Sequence, residues 1–208
     1  MTGDQPSAAD PHVSVRPANE VSWEDIQTVF GTRGEAAACQ CQYFKILNKD
    51  WSSVSVAERA FRLRQQTDCG YPDAEATTGL VAFLDGVPVG WCAVEPRSAY
   101  PRLRNAKVPW TGREEDKDDD TVWAVTCFMV RTGYRRRGIS SILAKAAVEY
   151  ARDRGARALE GYPMVDRPNE EIAWPSEMYV GTRSIFSDAG FTEITKPTKR
   201  RFVMRIDF

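Results

Sequence analysis

The 208-residue sequence contains one histidine, His12, in a polar N-terminal stretch. With a single imidazole, Ser-His-Asp and Cys-His schemes lack their base unless that stretch folds inward. Cysteines number five, an odd count with no secretory leader ahead of it. That pattern points to reduced thiols and a cytoplasmic location. Cys39 and Cys41 are too close together for the usual zinc spacings, so no metal site is expected. No apolar run approaches the ~18 residues that would suggest a membrane span, and the opening MTGDQPSAADP has no signal-peptide core. Residues 1–12 are read as a disordered tail before a single domain over residues 13–208. A net charge of −1 speaks against a nucleic-acid partner. The chain also lacks a Gly-Lys-Ser/Thr phosphate loop, a G-x-G-x-x-G run and any internal repeat.

What is present is ordinary for a domain with its own core: 42% hydrophobic and 27% charged residues. Taken in order, Val13 to Arg16 alternates like a strand. Ser22-Trp23-Glu24-Asp25 resembles a helix start, with Ile26, Val29 and Phe30 on one face and Gly31 as the stop. Residues 33–51 show no clean period and predict a loop or short helical turns. Ser55-x-x-Glu58 forms a capping box for a helix ending near Cys69. Strands at Gly79–Leu84 and Val87–Glu95 flank Asp85-Gly86, a type I′ hairpin signal, and Gly90 suggests a bulge or a close backbone approach. Pro96 to Asp120 reads as a long loop. Its acidic run is either a solvated surface or an attractor for a cationic acceptor, and Trp110 either anchors the loop or touches substrate. A short strand at Ala156–Glu160, a helix at Thr182–Ala189 and a closing hairpin of Phe191–Ile194 with Arg201–Ile206 complete the chain.

The stretch from Trp123 to Gly155 organises the rest. WAVTCFMV is a buried-strand signal. The helix after it places Ile139, Ile142, Leu143, Ala146, Ala147 and Tyr150 on one face, with Arg152 and Arg154 in the last turn and Gly155 at the stop. Between them lies Arg135-Arg136-Arg137-Gly138. A helix N-terminus presents unpaired amides and about half a positive charge. A turn over Arg136 to Ser140 aims those amides at one point, and Gly138 keeps a Cβ out of the way. Such a turn suits a phosphate or pyrophosphate; an ordinary strand–loop–helix connection with solvated arginines fits the same residues.

Phe128-Met129-Val130 followed by Tyr134-Arg135-Arg136-Arg137-Gly138-Ile139-Ser140 resembles the core motif of the GNAT superfamily of acyl-CoA-dependent N-acyltransferases, Arg/Gln-x-x-Gly-x-Gly/Ala. Arg135 and Gly138 match it, and Ser140 replaces the usual Gly or Ala. Ser184 to Phe191, SIFSDAGF, looks like the family's second motif, and the element order over about residues 13–207 is similar. The resemblance implies an α+β fold with a mixed, splayed central sheet flanked by helices. It implies that the amides of Arg136, Arg137, Gly138, Ile139, Ser140 and Ser141, with Arg135 nearby, hold the pyrophosphate of acetyl-CoA. Phe128, Met129 and Val130 would pair with its pantetheine arm.

Transfer from a thioester to an amine requires a neutral amine, donors for the oxyanion and a proton for the thiolate. By resemblance, a backbone N–H near Met129 polarises the carbonyl, and no covalent intermediate is needed. Many family members use a tyrosine as acid where this chain has Phe186. Tyr179 and Ser184 are candidate substitutes, with loop packing and helix surface as their other readings. Glu160 and Glu95 are candidate bases or simply paired carboxylates, and Cys127 is a nucleophile or a packing residue. Tyr43, Phe44, Tyr162, Trp174 and Tyr179 are either core or the lining of an acceptor pocket built from Cys39–Phe44 and the Tyr162–Tyr179 segment. The expected activity is acetylation of a primary amine on a small molecule, in a ternary complex. The alternatives are acetylation of protein amines and a non-catalytic acyl-CoA-binding module. The reading leaves room for a homodimer.

Overall fold

A computed structural model describes residues 12–165 and 179–208. The N-terminal tail up to residue 11, and Trp174 with most of the Tyr162–Tyr179 segment, lie outside the described residues. His12 itself exchanges backbone bonds with Asp85, accepting from its N–H and donating to its Oδ1, each at 3.0 Å.

Two strong local signals set the frame. At Asp85 and Gly86, φ is 50° and 80°, the positive pair that a type I′ turn needs, and it joins β2 (Gly79–Leu84) to β3 (Val87–Pro96). At Gly90 both expectations hold. The β2–β3 register slips between Ala82 and Phe83, and a Cβ on Gly90 would lie 2.8 Å from Cγ2 of Ile139. The strand thus bends to let α5 (Ile139–Asp153) approach.

The remaining strands are β1 (Val13–Pro17), β4 (Val122–Val130), β5 (Ala158–Gly161), β6 (Thr192–Thr198) and β7 (Arg201–Asp207). They form one seven-stranded sheet in the order β1-β2-β3-β4-β5-β7-β6. Among the described strands only β4 and β5 pair in parallel, because α5 connects them as a crossover. This is a mixed α+β sheet with helices on both faces. The apolar stripe of α5 and Phe186 of α6 (Arg183–Asp188) cover one face. On the other, α1 (Trp23–Phe30) and Leu63 of α3 (Val56–Thr67) bury Trp91, Val81 and Met129. Ser22 and Asp25 close a reciprocal capping box on α1, and Ser55 accepts from the Glu58 amide on α3.

The proline-rich segment 96–120 departs from the expected loop. It contains a 3-10 turn at Arg97–Ala99 and the short helix α4 (Pro101–Asn105), with Pro101 in the first turn, where a missing N–H costs nothing. Residues 34–39 also form a short helix, α2 (Gly34–Cys39). Trp110 is an anchor, donating to the Leu103 carbonyl at 2.8 Å under the Arg97 guanidinium. The acidic run is paired as well as exposed: Glu115 meets Arg97, Arg113 and Arg205, and Asp119 meets Arg157.

Candidate active site

β4 and β5 pair only from Val122↔Ala158 to Val125↔Gly161. Beyond Val125, residues 126–130 of β4 have no strand partner on that side among the described residues, so the sheet opens into a split. Opposite β3, Ala93 pairs with Cys127 and Val94 with Val125, leaving Thr126 as an extra residue. This bulge alters the strand's alternation at the mouth of the split. Val125 and Phe128 pack toward α5, while Cys127 packs with the cluster under α1. Phe128 and Met129 bury their side chains on opposite faces, so what they can offer a ligand in the split is backbone.

At the end of β4 the chain turns into α5. Arg136 at φ 62° and Gly138 at φ 74° adopt left-handed conformations, and Gly138 caps the helix with no side-chain bond to its first amides. The first intrahelical amide bond of this turn runs from Ile142 to the Gly138 carbonyl, leaving the N–H groups of Ile139, Ser140 and Ser141 without a helical acceptor. A cavity of about 230 Å³ lies over them, lined by Val130, Tyr134, Arg135, Arg136, Gly138, Ile139, Ser140, Ser141 and Ile185. A Cβ at Gly138 would meet no protein atom within 4 Å. The backbone is therefore open at the point where an anion would sit. Arg135 donates through Nε to the Val130 carbonyl at 3.2 Å. Arg137 instead lies 5.6 Å from the Tyr134 ring centroid and does not line the cavity.

On the α1 face, a second cavity of about 490 Å³ opens over the bulge, with Thr126 and Cys127 in its lining. Cys39, Cys41, Tyr43, Phe44 and Tyr179 also line it, so the expected Cys39–Phe44 wall and Tyr179 come together here. Burial, with the Glu35 charge nearby, pushes the Tyr179 phenol above its ordinary pKa, keeping it protonated and able to donate. The Cys127 thiol donates to Cys41, and this bond, with burial, holds Cys127 well above the usual thiol range. Cys41 is lowered, chiefly by that bond from Cys127 and, against burial, by the Trp91 indole, which donates to its sulfur at 3.2 Å. A protonated, hydrogen-bonded Cys127 is a poor nucleophile.

The Acetyltransferase (GNAT) family model matches residues 42–170, more than half of the chain. The chain belongs to this family. It is an acetyl-CoA-dependent N-acetyltransferase. Among solved structures, it is similar to yncA from Salmonella typhimurium with its cofactor acetyl-CoA, at 14% identity over 94% of this chain and 93% of that one, TM-score 0.51. It is also similar to a GNAT-family acetyltransferase from Streptococcus pneumoniae, at 15% identity over 94% and 99%, TM-score 0.50. A third is ribosomal-protein-alanine N-acetyltransferase from Brucella melitensis, at 16% identity over 94% and 99%, TM-score 0.50. At these identities the likeness concerns the fold. No curated protein matches the chain in sequence.

Within this GNAT chain the two carboxylates singled out in the sequence are both engaged. Glu160 on β5 is fully buried. Its oxygens accept from Arg97 at 3.2 Å, Arg205 at 2.9 Å and Tyr162 at 2.9 Å, and from both terminal nitrogens of Arg113. Burial works to raise its pKa, but Arg113, Arg97 and Tyr162 overcome that and hold it below the ordinary carboxylate value. A base needs a free lone pair and an affinity for protons, and this environment removes both. Glu95 pairs with Lys45 and accepts from Thr78 at 2.6 Å.

Phe186 is 0% exposed, with its ring in edge contact with Phe128 at 5.7 Å and Phe191 at 5.0 Å. A Cβ at Gly161 would overlap the Phe186 ring, so the glycine is what lets this side chain lie against β5. Ser184 shares a 3.0 Å hydroxyl contact with Thr182. Sequence reasoning missed Glu35, an exposed carboxylate on the lining of the second cavity with no ion pair among the described residues. It missed Arg59, Arg102 and Arg201 as lining residues as well. None of these carries a motif, because segments far apart in the chain bring them together.

Proposed function

We propose that this enzyme moves the acetyl group of acetyl-CoA to a primary amine of a small molecule by direct attack in a ternary complex. The observation that carries this is the cavity of about 490 Å³ over the β4 bulge. Its volume is that of a small-molecule site, and its lining includes Thr126 and Cys127 at the open half of β4. In this reading the pyrophosphate takes the amides at the start of α5, with Arg135 and Arg136 supplying charge around it. The pantetheine follows the backbone of Phe128, Met129 and Val130, and a β4 N–H near Met129 polarises the thioester carbonyl.

The acceptor nitrogen bonds the acyl carbon, the C–S bond breaks, and the thiolate takes a proton from Tyr179. The proton lost by the amine passes through water to Glu35, the carboxylate among the described residues that line the cavity. Glu160 is reassigned from proton acceptor to a positioning residue for the strand that borders the split.

The test is thiol release from acetyl-CoA across a panel of small amines, with wild type and Tyr179→Phe compared. Loss of the phenol is expected to lower kcat by about a hundredfold or more with CoA affinity retained. Wild-type kcat in Tyr179→Phe, with product release shown to be fast, removes Tyr179 from the mechanism. Tight CoA binding with no turnover of any small amine points to a protein amine as the acceptor instead.

A further inference from the structure

Beside the cavity over the bulge lies another of about 490 Å³, and the two share Tyr43, Phe44 and Arg201 in their linings. The charged side chains among the described residues lining this neighbour are Lys49, Arg102 and Arg201, with no aspartate or glutamate among them. Arg102 is 8% exposed. It stacks 3.9 Å from the centroid of Tyr43 and 5.5 Å from that of Trp51. Only its Nε is hydrogen-bonded among the described residues, to the Ile46 carbonyl at 2.9 Å, and Nη2 is buried without a partner. It forms no ion pair with any described carboxylate.

The contrast with the arginines around Glu160 is informative. Arg97, Arg113 and Arg205 are just as buried, and each has a carboxylate. A buried guanidinium with no counter-ion is costly, because the desolvation of its charge is not returned. Its planar fork matches a carboxylate, which takes two parallel N–H bonds. A trough whose lining combines aromatic rings with a buried guanidinium stacked on one of them is complementary to a molecule that carries an anion on an apolar body.

From this trough, which deepens the function proposed above and rests on it, we infer that the acceptor is an amino-acid-like molecule. Its carboxylate is held by Arg102, and a spacer of several carbons carries its amine past Tyr43 and Phe44 to the β4 bulge, as in an ω-amino acid. Neutral amines and polyamines lack the group that Arg102 is built to meet, so they are the poorer substrates.

The experiment compares matched acceptors that differ only in the carboxylate, with thiol release from acetyl-CoA as the readout. 6-Aminohexanoate is set against pentylamine and 6-aminohexanamide, and 5-aminopentanoate against butylamine and 5-aminopentanamide. Binding of phenylacetate and isovalerate, which carry the anion and no amine, is measured by calorimetry on the CoA-loaded protein. The expected result is at least a tenfold higher kcat/KM for a carboxylate member, expressed mainly in KM. Carboxylate binding should weaken by a similar factor in Arg102→Gln, and the kcat/KM ratio should fall toward one. Arg102→Lys, which keeps the charge and loses the fork, should lie between. Thermal melts identify a variant that fails to fold, and the wild-type comparison stands without any variant. Turnover of amines with no carboxylate preference, or a preference untouched in a folded Arg102→Gln, overturns this inference and leaves the acetyl transfer intact. Turnover of no small amine, with carboxylates still bound through Arg102, sinks the small-molecule acceptor of the proposed function and leaves an anion site. Absence of both turnover and carboxylate binding overturns both.

Discussion

Replacing Gly138 with valine separates two roles that the glycine combines. The first is conformational. At φ 74° an L-residue is strained by about 1–2 kcal/mol. For a domain of this size each kcal/mol shifts Tm by about 2–4 °C, so a drop of about 2–8 °C is expected. The second is access. No protein atom lies within 4 Å of the added Cβ, so the isopropyl group disturbs no packing and projects over the open amides of Ile139, Ser140 and Ser141. An anion seated there would be displaced. CoA affinity is expected to fall tenfold or more, about 1.4 kcal/mol, by calorimetric titration of the folded variant. Gly133→Ala is the control. Gly133 precedes the same turn without a positive φ and also has empty space around it, so CoA affinity should be unchanged. If Gly138→Val binds CoA like wild type while melting several degrees lower, the strain argument survives and the phosphate cradle is wrong.

Two further predictions follow from buried groups. Phe186→Tyr adds a hydroxyl inside a fully buried ring cluster, against the backbone of Gly161. An unpaired buried hydroxyl costs about 1–3 kcal/mol, so Tm should fall with no gain in kcat; a rise in kcat would mean that the ring reaches the thioester after all. Glu160 has its pKa depressed in the folded state, so its stabilisation is fully present above the unfolded value near 4.5 and is lost as pH falls through the lower folded value. Urea melts between pH 3 and 7 should show that loss, and Glu160→Gln should flatten it while costing about 3–5 kcal/mol at neutral pH. An acid limb identical in wild type and Glu160→Gln would contradict the assignment.

The parts of this molecule legible in its sequence are those whose causes are local. Asp85-Gly86 needs positive φ at both positions, Ser22 reaches an amide three residues on, and the stripe on α5 repeats every turn. Each is decided within a few residues. The short helix α4 lies in a stretch whose prolines and polar residues read as a loop, yet Pro101 at a helix start is favourable. Glu160 is a candidate base in the sequence, but its partners come from two other segments, Arg97 and Arg113 from residues 96–120 and Arg205 from β7. The lining of the acceptor cavities is non-local in the same way. Glu35, Arg59, Arg102 and Arg201 lie on separate elements, and nothing in their own neighbourhoods marks them.

The buried knot at Glu160 separates two kinds of evolutionary change. Arg97 and Arg113 both bind this one carboxylate on β5, and between them run α4, Arg102 and Trp110. The intervening stretch is therefore a closed loop pinned at both ends, a cassette whose interior faces the trough and whose clasps hold the sheet. Among the residues inside the clasps, Tyr100 and Leu103 pack with Ala124 and Val203 of the sheet, and only those that line the trough or face solvent are free to vary with the acceptor. Residues forming the clasps are not. Grafting a different segment between Arg97 and Arg113 is thus a route to a new acceptor on an unchanged catalytic frame.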